Sequence, residues 1–169
     1  MAEAVSPHKA RPGAVQLLPF RVVDPALPGT SAHEVVGHGN CLAHDRFAAL
    51  YRIAGQAARR VQTTDALEFV SKVFWFSLEF GVVRERGQVR TYGAGLLSSY
   101  GEIQQIENAE LRSLDVGRMG VQTYDITHYQ PVLFCAEGFN EVEDVVGAFF
   151  ADVDDDMVER LLHDASAPA

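Results

Sequence analysis

Three residues have the types and spacing to hold a metal ion. His33 and His38 bracket the run His33-Glu34-Val35-Val36-Gly37-His38, and Glu79 follows forty-one positions after His38. Glu79 is the only charge in Phe74-Trp75-Phe76-Ser77-Leu78-Glu79-Phe80, where burying an unpartnered carboxylate would be costly. Two imidazoles and one carboxylate, with the remaining coordination positions open, suit a non-haem Fe(II) oxygenase. A divalent cation would keep Glu79 ionised. Two readings stay open on ligand chemistry alone: a metal site, or ordinary histidines with an arginine such as Arg84 beside Glu79. The spacing speaks against a zinc protease, whose histidines sit four apart on one helical face. Residues five apart lie about 140° round an α-helix. Both rings could therefore face one ion if the helix ended near Gly37.

The elements that must position these residues are mostly helical. Ser31 and Glu34 form a capping-box pair for the helix that carries both histidines. Apolar residues recur at helical period over 45–61, and the helix over 66–80 is apolar nearly all round, as a buried central helix is. Gly81 ends it. A hairpin is expected over 82–92 around Gly87, a helix over 96–106, and a strand over 130–136. Residues 109–120 read as irregular with a short helix. Asn140 is expected to cap a helix over 140–150, and a last helix spans 156–163. Residues 15–23, interrupted by Pro19, read as a short extended segment. The fold class is mainly α with a small β-hairpin element. Residues 1–14 read as a flexible arm, 15–163 as a single domain and 164–169 as a frayed tail.

Composition narrows the partners. The 169 residues carry 23 acidic against 14 basic groups, a net charge of −9, which argues against nucleic acid and anionic membranes. Cys41 and Cys135 make no CxxC pair and no disulfide framework, so both read as thiols of a cytoplasmic protein. No signal pattern or long apolar run appears.

Four stretches carry a resemblance. His33 to His38, Trp75 to Gly81, Tyr92-Gly93-Ala94-Gly95-Leu96-Leu97-Ser98-Ser99-Tyr100-Gly101-Glu102, and Gln130-Pro131 with Ala136-Glu137-Gly138-Phe139-Asn140 resemble the pterin-dependent aromatic amino acid hydroxylases. That family comprises the phenylalanine, tyrosine and tryptophan hydroxylases. The resemblance covers roughly residues 20–150 and implies the family's catalytic core. It implies that His33, His38 and Glu79 ligate Fe(II), and that Ser98 supports a ligand histidine and the substrate's backbone groups. It further implies that Trp75, Phe80, Ala94, Gly95 and Ser99 wall the aromatic side chain and that Glu34 lies beside a tetrahydrobiopterin. Glu102 is either a support for the site or a solvated helix residue.

Departures from the pattern bear on the cofactor and the substrate. Only 32 residues precede His33, so the chain reads as a shortened member lacking most of the N-terminal part of the catalytic domain. Arg21 is the candidate clamp for the substrate carboxylate, in place of an arginine in the missing stretch. Gly29 stands in for a family proline and Phe74 for a family tyrosine. The position of the pterin-stacking ring falls near Ala14, with no Phe, Tyr or Trp between Met1 and Pro19. No counterpart of the family's C-terminal assembly helix is evident, and pairing into a homodimer would cover the surface that the missing segment otherwise buries.

Three functions follow as expectations. The first is a mononuclear non-haem iron(II) monooxygenase that hydroxylates an aromatic amino acid or related small aromatic with O2 and tetrahydrobiopterin. The second is a pterin-independent iron oxygenase of the same fold with another substrate in specialised metabolism. The third is a non-catalytic metal-binding paralogue.

Overall fold

The structure is a computed structural model and describes residues 33–166. The expected segment over 15–23, Ser31 as a cap, Arg21, and the arm over 1–14 lie outside the described residues. The chain enters on α1 (His33–Gly39, continued by Asn40–Leu42). Helix α2 (Asp45–Arg60) is capped by His44, whose ring accepts from Arg46 N, and buries Leu50, Ala54, Ala57 and Ala58 along one face. Helix α3 (Thr64–Phe74, widening into a π-turn over Trp75–Glu79) starts from Thr63, whose hydroxyl accepts from Ala66 N. It buries Ala66, Phe69, Val70, Val73 and Phe74, as its apolar sequence demands.

After Gly81 the chain forms the expected hairpin, β1 (Val82–Glu85) and β2 (Gln88–Thr91). Arg86 and Gly87 both take positive φ, 52° and 76°, the hand of turn that matches the twist of a two-residue hairpin. Helix α4 (Ala94–Ser98) and helix α5 (Tyr100–Gln105) follow. They divide the single helix expected over 96–106, because Ser99 is extended (φ −113°, ψ 101°) and its hydroxyl caps α5.

The sheet is larger than a hairpin. Strand β3 (Glu110–Ser113) and helix α6 (Val116–Val121) occupy the stretch expected to be irregular with a short helix. Strand β4 (Val132–Ala136) is central in the order β2-β1-β4-β3 and runs parallel to both β1 and β3. Only Arg112 of β3 is even half-buried, so the strand lacks the alternation by which one is recognised. Pairing with β4 creates it.

All five residues of β4 are buried because both faces of the sheet are covered. Val132, Phe134 and Ala136 join the main core with α2, α3, α7 (Phe139–Glu141, Val142–Gly147 and Ala148–Asp152) and α8 (Asp155–Ser166). Leu133 and Cys135 pack on the other side with Phe80, Val82 and Leu96. Asn140 does not cap α7. It lies inside the first turn, where its Oδ1 accepts from Arg46 Nη2 at 2.6 Å, and Gly138 holds the cap position. Residues 164–166, expected to fray, complete the last turn of α8. No described helix is long and apolar enough to cross a membrane.

Candidate metal centre

His33, His38 and Glu79 each turn one ligand atom toward the others, all within 4.8 Å. The two Nε2 atoms are 3.1 Å apart, and Glu79 lies 3.9 Å from His33 and 3.5 Å from His38. The winding of α1 brings this about. The helix does not end at Gly37, as the five-residue spacing seemed to require. It is wound as a π-helix from His33 to Gly39, and its i→i+5 bonding brings residues five apart onto one side. The end of α3 uses the same device: Phe80 N donates to Trp75 O at 2.9 Å and Glu79 sits in the widened turn. Gly37 lets α1 approach α4, since a Cβ there would lie 2.5 Å from the Ala94 carbonyl oxygen.

Hydrogen bonds behind the rings assign their tautomers. Ser98 Oγ lies 2.9 Å from Ala94 O and 3.0 Å from Gly95 O. Its single proton goes to one of these carbonyls, so Oγ accepts from His33 Nδ1–H at 2.8 Å. The Nε2 lone pair of His33 is thereby directed at the cluster. Tyr51 OH lies 3.3 Å from His38 Nδ1 and 3.3 Å from Leu78 O, an arrangement of the same kind on the second ring. Sequence reasoning took Tyr51, which touches the cluster, only for an apolar position of α2. Its one signal was a hydroxyl in an otherwise apolar pattern.

The electrostatics suit a cation. Burial lowers the pKa of His33 against the attraction of Glu34. Burial, then the neighbouring His33, lowers that of His38, so both rings favour the neutral, ligating form. Burial, then the charge of Glu34, pushes the Glu79 carboxyl up to about 8, partly offset by a backbone hydrogen bond from Gly95. Glu79 is 2% exposed, and its Oε1 has no hydrogen-bond partner among the described residues. A divalent ion would supply the missing partner and favour the ionised form. Two nitrogens about 2.1 Å from one ion at roughly 90° would stand about 3.0 Å apart, close to the separation found. The donor set therefore fits a mononuclear ion with open positions. Arg84 does not fill the arginine alternative, because it is exposed on β1 and pairs with Glu137 at 3.3 Å.

The remaining candidates lie round this cluster at different depths. Trp75 stacks between Phe80 (centroids 4.5 Å, planes 27° apart) and Tyr124 (4.4 Å, 14°). Tyr124 was not singled out from the sequence, where it falls in a stretch with no periodic signal. Gly95 has no room for a side chain, since a Cβ would sit 2.9 Å from the Phe80 ring. Ala94 is fully buried. Ser99 caps α5 and lines an open cleft of about 420 Å³ with Glu102 and residues 126–129. Glu102 accepts from Gln130 N at 3.3 Å, tying α5 to the start of β4. Glu34 is exposed on α1 and acts on the cluster through its charge.

A helical fold around two half-buried histidines and a buried carboxylate defines a candidate mononuclear metal centre. The chain belongs to the biopterin-dependent aromatic amino acid hydroxylases, whose family model matches residues 20–161. It is 54% identical over 144 residues to a phenylalanine 3-hydroxylase of Streptomyces coeruleorubidus, covering 85% of this chain and 50% of that protein. It is 39% identical over 119 residues to a tyrosine 3-monooxygenase of Bos taurus, covering 69% of this chain and 24% of that one. The chain thus spans half or less of the length of these relatives. The crystal structure of Chromobacterium violaceum phenylalanine hydroxylase with bound oxidized Fe(III) matches 80% of this chain and 48% of that one, with TM-score 0.66 and 24% identity, which establishes the shared fold.

Proposed function

We infer that the chain carries the iron centre of a mononuclear non-haem iron(II) monooxygenase that hydroxylates an aromatic amino acid or related small aromatic with O2. The observation that carries this reading is the convergence of His33, His38 and Glu79 on one point, with Glu79 Oε1 buried and lacking a hydrogen-bond partner among the described residues. Fe(II) and a tetrahydropterin, when bound, would supply the activated oxygen. The chain's own residues hold and shape the place where that chemistry happens. His33, His38 and Glu79 are the proposed ligands. Ser98 holds the His33 ring at 2.8 Å. Trp75 and Phe80, stacked beside Glu79, offer an aromatic side chain an apolar wall and exclude water from it. Glu34, exposed on the helix of the histidines, is the proposed neighbour of the pterin.

Family membership supports a pterin as reductant, and the name of the Streptomyces relative makes phenylalanine the first substrate to test, with hydroxylation at the ring 3-position the expected outcome. The test is aerobic product analysis with phenylalanine, tyrosine and tryptophan, each with and without tetrahydropterin, on the wild type and on His33→Ala, His38→Ala and Glu79→Ala. Loss of both bound iron and product in all three variants supports the reading. Iron and product retained in all three would overturn it. Full turnover without tetrahydropterin would shift the reading to the pterin-independent oxygenase.

A further inference from the structure

Each proposed ligand-bearing turn has its own backbone winding, yet one side chain touches both. Tyr51, on α2, places its hydroxyl 3.3 Å from His38 Nδ1 in α1 and 3.3 Å from the carbonyl oxygen of Leu78, the residue before Glu79 in the π-turn of α3. We propose that Tyr51 is a positioning residue of the metal centre, its hydroxyl fixing the tautomer of His38 and holding the histidine turn in register with the glutamate turn. This rests on the metal-centre reading above and adds a residue to it.

The proton count supports the role. A phenol carries one proton and can accept as well as donate. With that proton given to Leu78 O, 3.3 Å away, the oxygen accepts from His38, which places the ring proton on Nδ1 and leaves Nε2 as the ligating atom. Ser98 does the same for His33 from the opposite side, through α4. The two supports differ in reach. Ser98 touches one ligand and returns its proton to its own helix, whereas Tyr51 spans two elements.

The ring of Tyr51 is held so that the hydroxyl has little freedom. It meets Phe74 edge-on at 5.5 Å and 88°, and the His38 ring edge-on at 5.8 Å and 83°. Phe74 is the last residue of the regular part of α3, immediately before the widened turn. The phenol is therefore braced by the same helix whose carbonyl it engages. An aliphatic residue at this position of α2 would satisfy the core pattern and leave both Leu78 O and His38 Nδ1 without this contact.

Tyr51→Phe removes the oxygen and keeps the ring contacts. The measurement is Co(II) binding to the full chain, followed by its visible absorption, alongside thermal unfolding of the metal-free protein. Loss of a partner behind a ligand histidine is expected to weaken Co(II) about 10–100-fold and to alter the Co(II) bands, with little change in metal-free unfolding. Affinity within about twofold of wild type and an unchanged spectrum would overturn the proposal. A second measurement needs no variant. In the Co(II)-loaded wild type, the Nδ1 protons of His33 and His38 should appear as two shifted, slowly exchanging proton resonances, and detection of only one overturns the proposal. Wild-type protein that binds no Co(II) would overturn the metal-centre reading together with this proposal. Binding that depends on His33, His38 and Glu79 but not on Tyr51 would overturn this proposal alone.

Discussion

At the N-terminal end of α3, Thr63 Oγ1 accepts from Ala66 N and donates to Asp155, whose carboxylate also accepts from the backbone N–H groups of Gln62 and Thr63. At the C-terminal end, Glu79 Oε1 and Trp75 Nε1 are buried with no hydrogen-bond partner among the described residues. One helix thus has an end whose polar groups satisfy one another and an end with polar atoms left over. Buried polar groups without partners are rare in native structures and call for a reason. For the carboxylate the reason lies beside it, since it faces two imidazoles turned toward it. The first end is arranged for stability. The second tolerates a cost that a bound cation would offset.

The strongest test of that contrast is Glu79→Gln. Metal affinity should fall by more than about 100-fold, beyond the loss expected from removing a supporting partner. The metal-free protein should unfold at the same temperature as wild type or higher, because a buried carboxyl without a counter-ion has been removed. Metal titration and thermal unfolding with and without chelator read the two effects separately. A large drop in the metal-free melting temperature would break the comparison, by showing that Glu79 stabilises the fold on its own.

Gly37→Ala sharpens the contrast at the contact between α1 and α4. Its Cβ would meet a backbone oxygen, which cannot swing aside as a side chain can. A loss of about 1–3 kcal/mol in stability is expected from denaturant unfolding, together with weaker metal binding as His33 and His38 move relative to Ser98. Unchanged metal affinity would show that the histidine turn does not depend on this close approach.

The smallest effects belong to the satisfied end. Thr63→Ala should cost about 1 kcal/mol by loss of the cap and leave metal affinity alone. Asp155 adds a pH dependence. Its hydrogen bonds to the Thr63 side chain and backbone hold its carboxyl below the usual carboxylate value. The folded pKa is lower than the unfolded one, so its contribution is complete above the unfolded value and fades as pH falls through the folded value. Asp155→Asn should lower the melting temperature near neutrality, where that contribution is complete, and flatten the acid limb of a melting temperature-against-pH curve below about pH 4.

Much of the site was legible from residue type. Glu79 stood out as a charge in an apolar helix, and Ser98 and Trp75 through the motifs that flank them. The five-residue gap between the histidines was misread, because the α-helical period puts such residues on different faces and no local sequence pattern marks a π-turn. Strand β3 was missed because three of its four residues are polar and its pairing partner lies some twenty positions away: Glu110 pairs with Val132. Tyr51 and Tyr124 passed as ordinary residues because an aromatic at a core position carries no record of what its hydroxyl or its face will meet.

The sequence alone determined the three donors, the apolar character of the helix that holds the carboxylate, and the family, since these depend on residue types and on order along the chain. The tertiary structure decided which nitrogen of each imidazole faces the cluster. That choice is made by Ser98, 65 positions from His33, and by Tyr51, 13 positions from His38. It also decided that Arg84 does not neutralise Glu79, since Arg84 is carried to the exposed end of β1 to meet Glu137. Hydrogen-bond direction and charge pairing act over a few ångströms in space, and only the folded chain brings those partners within that range.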